Sequence, residues 1–136
     1  MTDHSFEFTR AITRRPARSV VDGLRAEDHG TPDFDQMLKD HAHYVATLRE
    51  TGAEIIELPA LDEFPDAVFV EDDALCLKKC AILMRPGAVS RMGEVAMIAP
   101  AIRAQYDDIS EITGPGFIEG GDILTPSREI LIGKSA

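Results

Sequence analysis

The stretch from Phe64 to Asp72 reads Phe-Pro-Asp-Ala-Val-Phe-Val-Glu-Asp and sets three carboxylates, Asp66, Glu71 and Asp72, among Val68, Phe69 and Val70. Carboxylates beside large apolar side chains are costly unless something pairs with them, and a bound cation that donates several hydrogen bonds is one such partner. A guanidinium suits the role. Its planar fork of five N–H donors can be held by two or three carboxylates in one plane while a ring such as Phe69 packs on its flat face. Read as a strand, the segment turns Phe69 and Glu71 to one face and Val68 and Val70 to the other. A solvated acidic loop is the competing reading at this point.

Other chemistries fit the sequence less well. The acidic stretch lacks the Asp-x-Asp-x-Asp-Gly pattern of a calcium loop. Gly114-Pro115-Gly116 and Gly120-Gly121 miss the dinucleotide fingerprint, and the neighbouring Glu119 and Asp122 would repel a phosphate. His41 and His43 are two apart, so on a helix they diverge by about 200° and cannot share one metal ion. Cys76 and Cys80 sit in apolar runs, where a thiol is more often packing than nucleophile. No metal and no cofactor are expected.

The elements that must position the acidic stretch are legible to different degrees. Phe6 to Ile12 alternates apolar and polar residues as a first strand would, and Thr13 to Pro32 has no usable period and reads as a long loop. Such loops are often lids, so Val20, Val21 and Leu24 beside Gly23 are candidates to cover a site, against the alternative of a disordered surface loop. Asp33 to Thr51 has its apolar residues at helical spacing, with Thr31 or Asp33 as cap and Gly52 as left-handed stop. A short strand follows at Glu54 to Leu58. After the acidic stretch, Ala74 to Leu77 and Cys80 to Met84 form a hairpin about Lys78-Lys79. A helix opens at Ser90 or Gly93 and runs to about Tyr106, with Pro100 inside it, and strands follow at Ile109 to Ile112, Asp122 to Thr125 and Glu129 to Ile132.

Composition narrows the partners. A chain of 136 residues with 44% hydrophobic content has room for one ordinary core. Its net charge of −10 would repel a phosphate backbone, which argues against nucleic acid. No apolar run is long enough for a membrane span and no secretory signal is visible, and two cysteines four positions apart do not make a secreted disulfide framework. The expected setting is the cytoplasm.

A repeat spans the second half. Phe69 set against Phe117, 48 positions later, aligns Phe-Val-Glu with Phe-Ile-Glu, Leu75-Cys76 with Ile123-Leu124, and Ile82-Leu83-Met84 with Ile130-Leu131-Ile132. A period of that length, with strand, strand, helix and strand, is the kind that builds propellers or arrays. On this reading an exposed edge invites self-association or a complementing chain.

Four segments carry a resemblance: Phe64 to Asp72, Arg85-Pro-Gly-Ala-Val-Ser-Arg91, Glu119-Gly-Gly-Asp122 and Ile132-Gly-Lys-Ser-Ala136. In order and spacing they resemble the N-terminal half of the dimethylarginine dimethylaminohydrolases, of the guanidine-modifying superfamily, and Pro16 to Leu24 resembles the lid of the bacterial members. The resemblance implies an α/β fold, an incomplete five-bladed α/β propeller of the pentein type built from ββαβ repeats. About two and a half repeats would be present, and residues 1–136 would form the N-terminal portion of a single truncated domain. It implies hydrolysis of asymmetric dimethylarginine or monomethylarginine to citrulline and a methylamine, by a cysteine nucleophile with a histidine as general acid and base. By position Asp66, Glu71 and Asp72 would hold the guanidinium, Phe69 would pack beside it, Arg91 would pair with the substrate carboxylate, and Leu24 would close over the top. Glu119 would orient the catalytic histidine. The catalytic histidine and cysteine themselves match nothing in this chain, so the chain alone is expected to be inactive. A noncatalytic module for an arginine-type ligand, and part of an arginine or agmatine deiminase relative, are the alternatives.

Overall fold

In the computed structural model, which describes residues 7–126 and 129–134, the unit Thr9–Val70 is a βαβ crossover. Strands β1 (Arg10–Arg14) and β2 (Glu54–Leu58) pair in parallel with Ile12 opposite Ile56. A parallel pair needs a long return path, and helix α1 (Phe34–Glu50) supplies it. Its start is fixed by Asp33, whose Oδ1 accepts the Gln36 N–H at 3.0 Å. Its end is fixed by Gly52, which takes the left-handed φ of 87° that a side chain resists. Val45 is the residue α1 buries, at 1% exposure. The guanidinium of Arg14 is also buried, and Nη1 donates to the Pro59 carbonyl at 2.9 Å.

The first strand therefore lies later than its alternation suggests, at Arg10–Arg14 and not Phe6 to Ile12, and Phe6 itself falls outside the described residues. The segment read as a structureless loop begins inside this strand and then makes a 3-10 turn at Arg18–Asp22. Two contacts order that turn. Arg18 donates its backbone N–H to Asp62 Oδ1 at 3.1 Å, and its guanidinium stacks over Phe34 at 4.6 Å from the ring centre. Neither contact is local in sequence, which is why no period shows it.

The unit that begins at Glu71 has a ββαβ core. β3 (Ala74–Cys76) and β4 (Cys80–Leu83) form an antiparallel hairpin with Leu75 opposite Ile82, and β5 (Asp108–Glu111) adds to β4 in parallel, giving the order β3-β4-β5. The crossover is helix α2 (Glu94–Arg103), capped by Gly93, and its buried Val95, Ile98 and Ile102 recur at helical spacing. Ala81, Leu83 and Met84 supply the sheet side of this core. A second hairpin follows, β6 (Ile123–Leu124) with β7 (Leu131–Ile132). Each hairpin is preceded by a short 3-10 turn, Val70–Asp72 and Gly120–Asp122. Among the described residues no helix is long and apolar enough to cross a membrane.

Candidate functional site

In the first unit the chemistry gathers around Asp66. The chain turns on itself here, with the Ala67 N–H donating to the Phe64 carbonyl and the Phe69 N–H to the Asp66 carbonyl at 3.1 and 3.0 Å. Asp66 is 5% exposed, and its carboxylate receives the Leu24 N–H on both oxygens, at 3.0 and 3.2 Å. The lid candidate is thus tied down by its backbone, while its side chain, 61% exposed, is left clear. Gly23 makes the approach possible, because a Cβ there would meet Asp66 Oδ1 at 2.7 Å. Phe69 keeps 44% of its surface exposed.

The expectation that Phe69 and Glu71 share one strand face is not met. Residues 65 to 68 form turns and Val70–Asp72 is a 3-10 turn, so the period-2 rule does not apply to them. The local alternation of apolar and acidic residues is too short to set a strand against the turn hydrogen bonds within Phe64 to Phe69.

In the second unit the carboxylates converge on one guanidinium. Arg91 ends the 3-10 turn Val89–Arg91 and is 6% exposed. Its Nη1 donates to Asp72 Oδ2 at 2.6 Å and lies 3.7 Å from Glu119 Oε2. Its Nε and Nη2 both donate to Glu94 Oε2, at 3.0 and 2.8 Å. Burial works against the charge on Arg91, but the hydrogen bonds and the charges of Glu94 and Asp72 outweigh it and raise the pKa above the ordinary arginine value. The outer oxygens of the two flanking carboxylates are held as well. Asp72 Oδ1 accepts the Gly121 N–H, and Glu119 Oε1 accepts the Gly87 N–H, each at 3.0 Å. Gly120 is forced, since a Cβ there would collide with the Glu71 carbonyl. Glu71 itself is exposed.

The structure thus brings together Asp72, Arg91 and Glu119 in one cluster and, separately, Leu24 and Asp66 in another. Sequence reasoning missed Glu94. Its one available signal was the Arg-x-x-Glu spacing from Arg91, which puts an acid in the first turn of a helix, where it reads as an ordinary dipole partner. Cys76 is exposed at the end of β3, and partial desolvation raises its thiol pKa against a hydrogen bond with Tyr106.

No protein-family model matches the chain. Over 95% of its length it is 42% identical to the dimethylarginine dimethylaminohydrolase of Pseudomonas aeruginosa. A solved structure of that enzyme, a cysteine-to-serine variant complexed with citrulline, superposes with a TM-score of 0.93 at 42% identity, covering 96% of this chain and 51% of that one. The chain matches about half of a dimethylarginine dimethylaminohydrolase. The family member from Streptomyces coelicolor is 32% identical over 92% of the chain. A histidine-to-glycine variant of a dimethylarginine dimethylaminohydrolase, an adduct with S-methyl-L-thiocitrulline, has a TM-score of 0.89 at 42% identity and covers 91% of this chain and 49% of that one. The N-terminal domain of ArgZ, at 19% identity, shares the α/β fold with a TM-score of 0.78, over 90% of this chain and 47% of that one. The chain spans about half the length of the curated relatives it matches, 51% and 49%.

Proposed function

We propose that this chain is the substrate-binding portion of a hydrolase that converts asymmetric dimethylarginine and monomethylarginine to citrulline and a methylamine. In the reaction a cysteine thiolate adds to the guanidinium carbon, the methylamine leaves with a proton from a histidine, and water attacks the resulting thiouronium to release citrulline and the thiol. Both the cysteine and the histidine are supplied from outside these 136 residues. Glu71 and Asp72 hold the guanidinium, and Glu119 orients the histidine. By the same resemblance Leu24 closes over the site, Asp66 is a further acceptor, Phe69 packs beside the guanidinium and Arg91 pairs with the substrate carboxylate.

The observation that carries this reading is the 42% identity to a family enzyme whose solved structure holds citrulline, over a segment that includes the whole carboxylate cluster. The same likeness supports the ring architecture. β3, β4, α2 and β5 make one ββαβ blade, and β6 and β7 begin the next, as a five-bladed ring with about two and a half blades in this chain requires. The exposed Leu124 and Leu131, opposite each other on β6 and β7, then form a face that a complementing half or a second copy covers.

Incubation with asymmetric dimethylarginine and, separately, free arginine tests the division of labour. The chain alone is expected to release no citrulline from either. Citrulline formed faster than by a Glu71→Ala variant would contradict the placement of the nucleophile outside the chain, and a preference for free arginine would move the substrate to the deiminase class.

A further inference from the structure

Glu94 is 1% exposed in the first turn of α2, and its Oε2 takes two N–H donors from one guanidinium. A carboxylate this deeply buried needs such a partner, and the clasp fixes the plane of the arginine it holds. The third nitrogen, Nη1, is thereby aimed at Asp72 Oδ2, 2.6 Å away, with Glu119 Oε2 at 3.7 Å. Asp72 and Glu119 come from segments far apart in sequence and carry like charges. Left alone they would repel, and Arg91 is the cation that lets them converge. The Gly121 and Gly87 amides then pin their outer oxygens.

We propose that Glu94 and Arg91 act as a positioning pair, which sets Asp72 and Glu119 in place before any ligand arrives. The inference rests on the reading of Asp72 and Glu119 as guanidinium and histidine partners, and it gives Arg91 a part other than meeting the substrate carboxylate. A preformed cluster spares the ligand the cost of gathering two negative charges, so the pair acts on affinity through the placement of Asp72 and Glu119.

Glu94→Gln keeps the shape of the side chain and removes its charge. In the folded variant, amide hydrogen exchange at Gly87 and Gly121 is expected to accelerate by about tenfold or more, with the β1–β2 ladder unchanged, and binding of asymmetric dimethylarginine is expected to weaken by about tenfold. A merely structural role would lower the thermal midpoint without singling out these two glycines. Unchanged protection at Gly87 and Gly121 overturns the proposal. Should Glu94→Gln not fold, Arg91→Met combined with Glu94→Leu carries the same test, because apolar replacement of a buried ion pair is often neutral for stability. Failure of both to fold also overturns it, since a positioning pair is dispensable to the fold. If the unaltered chain shows no response to asymmetric dimethylarginine, the functional reading falls, while the exchange rates still decide the positioning pair.

Discussion

At Gly23 and Asp66 a missing side chain and a buried carboxylate define each other. Adding a Cβ at Gly23 places it 2.7 Å from Asp66 Oδ1, so Gly23→Ala is expected to destabilise the chain by about 1–3 kcal/mol, the usual range for overpacking. Much of that cost should vanish when Asp66 is already alanine, and a double-mutant cycle by urea unfolding measures the coupling directly. His41 offers a second residue-scale test. Burial lowers its pKa, and the attraction of Glu57 and a hydrogen bond to the Arg14 backbone do not restore it. The folded chain therefore binds that proton more weakly than the unfolded chain, whose histidine titrates near 6.5. The stability tied to neutral His41 is full above that value and is lost as the pH falls toward the folded pKa. Replacement by glutamine should flatten this part of the unfolding curve, measured from pH 8 to pH 5; an unchanged slope would assign the pH dependence elsewhere. Glu94 was invisible in the sequence because a lone acid near a helix start has many ordinary explanations, and only the fold shows it sealed against Arg91.

The elements differ in how openly the sequence announces them. α1 was legible because three independent signals agree, the Asp33 cap, the apolar period and the Gly52 stop, and each is found in place. The β3–β4 hairpin was legible because two apolar runs flank a polar turn. β1 lies later than its alternation suggests because its buried residues include Thr13 and Arg14, which no hydrophobic pattern marks as buried. The acidic stretch reads as a strand in sequence because a period of 2 over four residues cannot be told from a turn. α2 is bound to its sheet by Ile98, Leu83 and Ile102, each 1% exposed. Ile98→Ala should therefore cost about 2–5 kcal/mol in denaturant unfolding, whereas the same change at exposed Met97 should cost far less.

For the whole molecule, the candidate site was legible mainly through the spacing of motifs that resemble a family. Composition and periodicity could say that carboxylates cluster, but not which cation holds them together. Leu124 and Leu131, opposite each other on β6 and β7, are 63% and 48% exposed, and we expect concentration-dependent association through them in sedimentation velocity. Leu131→Lys should suppress that association; a monomer at all concentrations would argue against an edge in need of cover. The cluster around Asp72 is proposed to receive a methylated guanidinium. The most direct test is an NMR titration of the chain with asymmetric dimethylarginine up to about 10 mM. Saturable shifts are expected at the Gly87 and Gly121 amides, and they should disappear in Asp72→Ala; the absence of any saturable change in the unaltered chain would contradict a guanidinium site there.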